Sequence, residues 1–576
     1  MDRTLHAELS ALDRVLAHRK LELWVGAEPT FTDPGSQDPW WLYEPEGGDK
    51  ETRARALLEA LAPRLGRKVR LLKIVGRHYQ GEAAPRFAYA AIFRRDGELA
   101  GGVDASGLDG APVPMPALEP GETFLTVTPD PGVVEVNGAP APDLATFLED
   151  AYALYDAAAA AGLSAIRHRY NGRTSDSGGG GQLTLGGPTP DQSPFFRHPR
   201  LLPRLVRYLS NHPSLSYAFA PDCVGSASQG PRPDEGVRER FEELHVAVDR
   251  MEARDDQVTP RELWETFGPL LVDASGNSHR SELNVEKLWN PTLPVRGQLG
   301  LVELRSLRMP PTPEKLAALA ALFRALAARL VEVRYDEPLA DWGGQLHDAL
   351  ALPSFLEQDL QAVLDDLARA GLALGPATRA LLVARPEPVA EIRLDDATLT
   401  LTPAAEFWPL LGDTASQERS GARLVDASSE RLEIAVTTRA PGADPGRVGA
   451  DGWEVALHPT ASGRRHVAGV RYRAFAPRPG LHGSLPATDP LVLHWERGAR
   501  RFSIELHGWI PGGGVYAGLP GDEAEARRRR RERVRVGEPA RIQLLAPPFT
   551  GAVTLDLRRL DARRRLAERS QLGGSP

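Results

Sequence analysis

Through about residue 335 the sequence predicts an α/β or α+β arrangement, and after about residue 388 a β-rich region. Strand-like and helix-like periodicities alternate over the first part. After 388, short strand-like runs follow one another with turn residues between them. In addition, four apolar stretches carry polar groups where a strand covered on both faces would not tolerate them. They are VGAEPT at 25–30, VVEVN at 133–137, GGGGQLTLGG at 178–187 and LGLVELR at 299–305. Alternate residues of a strand share a face, so Glu135 points with Asn137, and Glu303 with Arg305. Repeated over several strands, this predicts a sheet with one polar, charged face, suited to metal ions and a phosphate-bearing substrate.

Residues 1–20 read as a helix leading into the first polar-bearing strand. Residues 51–65 have helical spacing, with Leu57, Leu58, Leu61 and Leu65 on one side. Val69–Val75 and Phe87–Phe93 read as strands, and the Pro/Gly-rich stretch Gly101–Gly121 as an excursion loop. Ala145–Ala161, Leu201–Ser210 and Val237–Arg250 read as helices. Pro313–Glu332 is a strong helix, with proline near its start. Pro353–Gly371 is helical, with acidic residues on its exposed face. Beyond 388 the predicted strands are Thr398–Leu401, Arg431–Val436, Trp453–Leu457, Val467–Phe475, Leu491–Trp495 and Arg501–Leu506. The tail after about residue 565 reads as disordered.

The chain has 576 residues, enough for two or three domains. Its 42% apolar and 25% charged residues fit a soluble globular protein. No run of 18 apolar residues predicts a membrane helix, and the N-terminus lacks a signal-like apolar core. Cys223 is the only cysteine, which excludes an internal disulfide and points to a reducing, cytoplasmic setting. The 69 basic and 77 acidic residues leave a formal charge of −8, with no overall drive toward nucleic acid. Arg527–Arg531, with Arg533, is the conspicuous charge block. It follows Asp522, Glu523 and Glu525, the order that suits a solvated helix and its dipole, with a patch for nucleic acid or an acidic partner as the alternative.

Glu303-Leu304-Arg305 is the sharpest chemical element. A carboxylate suits Mg²⁺, and an arginine on the same face can clamp a phosphate. An ion pair within or across strands is the plainer alternative. Asp273–Lys287 adds His279, Arg280, Glu282 and Lys287, either near a loop mouth or as a surface salt-bridge cluster. The glycine-rich stretch at 178–187 resembles a phosphate-approach loop, but no Gly-Lys-Ser/Thr follows it.

The passages WVGAEPTFTDP, TPDPGVVEVN, GGGGQLTLGGPTPDQSPFFRHP, NHPSLSY, SQGPRPDE, DASGNSHRSELNVEKLWNP, LGLVELRSLRMPP, LHPT and VAGVRYRAF run in order over roughly residues 20–535. In this series the chain resembles a bacterial amidoligase family of the glutamine synthetase / glutamate–cysteine ligase superfamily of carboxylate–amine ligases. The resemblance implies an α+β fold. A glutamine synthetase-like antiparallel sheet with flanking helices would fill residues 1–335. A helical connector (336–387), a β-rich domain (388–545) and a partly disordered extension (546–576) would follow. The polar face would bind Mg-ATP and the acid to be activated.

On that likeness Glu28, Glu135, Glu282 and Glu303 are expected as Mg²⁺ ligands. Gly179, Gly180, Gln182, Thr184, Lys287 and Arg305 are expected to contact ATP, and Arg280, Arg305 and His279 to be catalytic. Two positions depart from the relatives: Gly181-Gln182 replaces Asn-His, and His245 replaces an acidic residue. The implied reaction is ATP-dependent ligation of a small-molecule or peptide carboxylate to an amine through an acyl phosphate. A non-catalytic scaffold that binds nucleotide, peptide or a partner ligase is the alternative, and a phosphotransferase on the same fold a third reading. Relatives often carry a transglutaminase-like domain, and none is read in this chain. Ligase-like and transglutaminase-like partner proteins are therefore expected, with neither nucleic acid nor membrane as a partner.

Overall fold

The computed structural model describes residues 2–34, 49–65, 67–76, 87–95, 102–119, 121–130, 132–254, 258–293, 297–411, 424–476, 480–539, 544–548 and 552–560. The tail after residue 565 lies outside the described residues. The strands of the first half are β1 (Trp24–Phe31), β2 (Arg67–Val75), β3 (Phe87–Arg94), β4 (Val103–Gly107), β5 (Glu122–Asp130), β6 (Val133–Asn137), β7 (Ile166–His168), β8 (Thr174–Asp176), β9 (Gly181–Gly186), β10 (Cys223–Val224), β11 (Leu283–Asn284) and β12 (Val302–Leu304). Nine of them form one sheet in the order β11-β12-β9-β1-β6-β5-β3-β2-β4. Neighbours are antiparallel except β2 and β4, which run parallel. β7 and β8 make a separate hairpin.

Alternation decides which face is covered. Val25, Ala27, Leu183, Leu185, Leu283, Val302 and Leu304 share a core with Leu5 and Leu9, Phe147, and Leu319, Leu322 and Leu326. The helices Arg3–His18, Leu144–Ala160 and Pro313–Glu332 supply the last three groups. Further along, Phe31, Tyr89, Leu125, Val127, Val134 and Val136 pack on Leu57 and Leu58 of the helix Asp49–Leu61. The intervening residues of β1, β9, β12 and β6 therefore point to the opposite face.

Helix boundaries follow their caps. Asp143 accepts from the Thr146 amide at 2.7 Å and starts the helix Leu144–Ala160. Thr312 accepts from the Lys315 amide, and Pro313 takes the first helical position. The helix predicted over 51–65 ends at Leu61 and continues as a 3₁₀ turn, Ala62–Arg64, with proline inside it. The loop predicted at Gly101–Gly121 contains β4. This edge strand, VDASG, is largely exposed and lacks the apolar alternation that marks a half-buried strand.

The second half contains the helices Pro353–Arg369 and Pro376–Leu382 and two sheets. Its strands are β13 (Ala390–Arg393), β14 (Ala397–Pro403), β15 (Glu406–Phe407), β16 (Ser429–Thr438), β17 (Arg447–Ala450), β18 (Trp453–Val455), β19 (His458–Pro459), β20 (Arg465–Arg473), β21 (Leu491–Arg497), β22 (Arg500–Leu506), β23 (Val534–Gly537) and β24 (Thr554–Asp556). One sheet runs β13-β14-β16-β20-β19, with β24 also on β20, and the other β18-β17-β21-β22-β23. Leu399, Ile434, Val470, Leu493, Trp495 and Ile504 from both sheets form one core, as in a sandwich. β15 pairs in parallel with β10 and so ties this half to the first.

The arginine run is only partly solvated. In the helix Glu523–Glu532, Arg529 is buried and donates to the Tyr170 and Gly518 carbonyls at 2.7 and 2.6 Å. Arg530 donates to the Gly172 carbonyl at 2.7 Å. Arg527, Arg528 and Arg531 stay exposed. A helix cannot present every residue to water once one side docks, so helical phase splits the run.

Candidate functional site

Glu28, Gln182, Thr184 and Glu303 meet on the polar face because of strand register. Glu28 of β1 stands opposite Gln182 of β9, and Gly26 opposite Thr184. Thr184 in turn stands opposite Glu303 of β12, and Asn284 of β11 flanks Glu303. All four polar side chains are buried. Gly26 is required by this arrangement, since a Cβ there would lie 2.5 Å from Thr184 Oγ1.

Lys287 completes the group. Its ammonium donates to Glu28 Oε1 and lies 3.3 Å from Glu303 Oε2. Arg305 donates through Nη1 to Glu303 Oε1 and through Nε to the His279 carbonyl at 2.9 Å. Glu135 sits opposite Thr30 and accepts from Asn137 Nδ2 at 2.8 Å, so these two share a face. Its charge is felt by both Glu28 and Lys287.

Burial, then the Glu303 carboxylate, push Glu28 up to about 7 against the pull of Lys287. Burial also penalises Glu303, but Arg305, Lys287 and His279 outweigh it and hold this carboxyl well below the usual range. Desolvation disfavours the Lys287 ammonium, yet Glu28, Glu303 and Glu135 raise its pKa overall. The two carboxylates differ because Arg305 stands beside Glu303.

The other expected residues are placed differently. His279 pairs through Nε2 with Glu286 at 3.1 Å and is half-exposed at the rim, within electrostatic reach of Glu303. Arg280 donates to the Ser228 carbonyl at 3.3 Å. Glu282 does not join the group. It accepts from Ser216 Oγ and lies 3.7 Å from the fully buried Arg232. β11 begins one residue later, so strand alternation does not carry Glu282 onto the Asn284 face. Among the described residues, no three His, Cys, Asp or Glu side chains converge as a ready-made metal cluster.

Gly179 and Gly180 also differ from the phosphate-loop expectation. The Gly178 amide donates to Asp176, the Gly179 amide to Ser177, and the Gly181 amide to the Leu307 carbonyl. The Gly178, Gly179 and Gly180 carbonyls accept from Gln229, Gln182 and Thr30. A Cβ on Gly179 would meet the Thr30 side chain at 2.7–2.8 Å. These glycines permit close packing, and the amides of Gly178, Gly179 and Gly181 are spent within the protein itself. Gln229, which bridges this loop to Gln182, was not singled out from the sequence, although it lies within SQGPRPDE.

One acceptor remains unspent. Gln182 Nε2 donates to the Gly179 carbonyl at 3.0 Å and to Gln229 at 3.3 Å, while Gln182 Oε1 is buried without a partner among the described residues. An unpaired buried carbonyl is costly. Beside it stand the Glu28 and Glu303 carboxylates, paired with Lys287 and Arg305. Mg²⁺ takes hard oxygens and is commonly held by one or two carboxylates plus water and substrate phosphates. Glu28, Glu303 and Gln182 Oε1 fit that donor set.

A family model described as "Putative amidoligase enzyme (DUF2126)" matches residues 3–101 and 112–558. Among solved structures, "GmaS/ADP complex-Conformation 1" is 14% identical, over 66% of this chain and 71% of that chain, with a TM-score of 0.30. No curated protein matches the chain. Among the described residues, no helix is long and apolar enough to cross a membrane.

Proposed function

The chain belongs to the putative amidoligase enzyme family, DUF2126, and on that premise we propose that it is an ATP-dependent carboxylate–amine ligase. The observation that carries this reading is the convergence of Glu28, Lys287, Glu303 and Arg305 on one sheet face beside the unpartnered Gln182 oxygen. Carboxylates do not condense with amines in neutral water, because the carboxylate is a poor electrophile. Phosphorylation by ATP supplies a leaving group.

In this reading Glu28, Glu303 and Gln182 would hold Mg²⁺, whose charge would screen the nucleotide phosphates. Arg305 and Lys287 contact those phosphates and neutralise charge as the γ-phosphoryl group moves. The substrate carboxylate attacks the γ-phosphorus, ADP departs, and an acyl phosphate forms. An amine then attacks the acyl carbon and expels phosphate, leaving an amide. His279, half-exposed and oriented by Glu286, accepts the proton from the amine. Arg280 at the rim faces the entering acid. Gly179 and Gly180 shape the strand entry, where a Cβ would meet Thr30 or Gln182. The acid and amine are small molecules or peptide groups, and ligase-like and transglutaminase-like proteins are the partners the family likeness suggests.

The test is calorimetric titration of ATP with and without Mg²⁺, using Glu303→Ala and Arg305→Ala as controls. Mg²⁺-dependent binding lost in both variants supports the reading and opens a screen of acids and amines for phosphate release. A folded wild-type protein that binds no ATP sinks it and leaves a scaffold role.

A further inference from the structure

Lys287 holds both deep carboxylates of the polar face at once. Glu28 lies on β1 and Glu303 on β12, with β9 between them, so one ammonium spans two non-adjacent strands. The backbone of Lys287 is fixed, because its carbonyl accepts from the Leu299 and Leu301 amides at 2.9 and 3.3 Å. Its side chain is another matter. It is 20% exposed, against 10% for Glu28 and 2% for Glu303, so the lysine side chain lies nearer the solvent than the carboxylates it holds. Four methylenes let such a group swing away without moving the fold.

An ammonium is an incomplete partner for this set. It brings one charge and a few N–H donors, and Gln182 Oε1 still has no partner. Glu28 and Glu303 share that single ammonium between them. A divalent cation in place of the ammonium would bring a second positive charge to Glu28 and Glu303. The Gln182 oxygen would also gain a partner that favours carbonyl donors.

We propose that Lys287 is a resident counter-cation that competes with a divalent cation for Glu28 and Glu303, so that the ion binds only as the ammonium leaves them. The released ammonium is then available for phosphate oxygens. This rests on the reading of the polar face as a cation site, and not on ligation itself. It makes Lys287 a positioning residue whose place reports whether the ion is bound.

The experiment uses Mg²⁺ alone, without nucleotide. Lys287→Gln should bind Mg²⁺ at least about tenfold more tightly than wild type by calorimetry, because no charge must be displaced. The same variant should melt at a lower temperature without Mg²⁺ and regain most of that loss when Mg²⁺ is added. Unchanged or weaker binding by the folded variant overturns the proposal, as does a melting loss that Mg²⁺ does not restore. If Lys287→Gln does not fold, wild-type protein gives the answer. Acetic anhydride labelling of Lys287, followed by peptide mass mapping, should increase as Mg²⁺ is added. Labelling that stays constant at Mg²⁺ concentrations that saturate the site overturns it. Failure here is separable from failure of the ligase reading. Mg²⁺-dependent ATP binding with constant labelling removes only the competition, whereas tighter Mg²⁺ binding by Lys287→Gln without any ATP binding removes only the ligase.

Discussion

Gln182 stands directly opposite Glu28 in the β1–β9 ladder, and its amide is split between two tasks. The nitrogen ties down the glycine-rich turn through the Gly179 carbonyl, while the oxygen stays buried and unpaired. Gln182→Ala should weaken Mg²⁺-dependent ATP binding about tenfold while costing about 1–3 kcal/mol of stability, since it removes one ligand and the two neutral hydrogen bonds that Nε2 donates. Calorimetry and urea denaturation separate the two. Unaltered ATP affinity would remove this oxygen from the ligand set.

Glu28 predicts a pH dependence of stability. Its folded pKa of about 7 stands above the ordinary 4.5, so the folded chain holds this proton more tightly than the unfolded one. The contribution is whole below about 4.5 and is lost as pH rises to about 7. Between pH 5 and 8 wild type should therefore lose up to about 3 kcal/mol relative to Glu28→Gln. Denaturant midpoints of both proteins across that window are the check. Parallel pH curves would show that Glu28 is fully compensated by Lys287.

Glu282 should matter to stability and not to the ion. It faces Ser216 and Arg232, and Arg232 also pairs with Asp234 at 2.8 Å and with the Leu209 and Ser210 carbonyls. Glu282→Gln is expected to cost about 1–3 kcal/mol, and Arg232→Ala about 3–5 kcal/mol because two acids lose their partner. Mg²⁺ affinity of Glu282→Gln, measured by calorimetry, should equal wild type. A tenfold loss there would return Glu282 to the metal ligands.

Within the arginine run, position decides the effect. Arg529→Ala removes two buried carbonyl contacts and should cost about 2–3 kcal/mol by chemical denaturation. Arg528→Ala, on the exposed side, should stay within about 0.5 kcal/mol. Equal effects at both positions would contradict the docking of this helix on residues 170–172.

Much of the polar face was legible because polar residues break apolar strands at period two. Glu28, Gln182, Thr184 and Glu303 are each one step out of phase with a core residue, and that phase is local information. Lys287 was recognised by its neighbourhood, but its reach to two strands depends on sheet order, which no local pattern encodes. Glu282 was expected on the likeness, and β11, only two residues long, does not extend to it. At Gly179 the letter alone does not separate a glycine that opens an amide from one that makes room for Thr30. β4 was missed because an exposed edge strand has no buried side to mark it. Arg529 was hidden among identical letters, since only the docked helix distinguishes its side.

The two partners of the Glu28–Lys287 contact lie 259 positions apart in the chain. A ribosome therefore releases Glu28 long before Lys287 and Glu303 exist. β6 can pair with β1 early, but the side of the sheet built from β9, β12 and β11 closes only after residue 304 has emerged. Until then the carboxylate is solvated and Leu183 and Leu185 lack half of their cover. A product that terminates before that point carries an open sheet edge and bare leucines, the features chaperones and proteases engage. Glu28 therefore meets Lys287, and Leu183 and Leu185 gain their remaining cover, only in a chain that extends past residue 304.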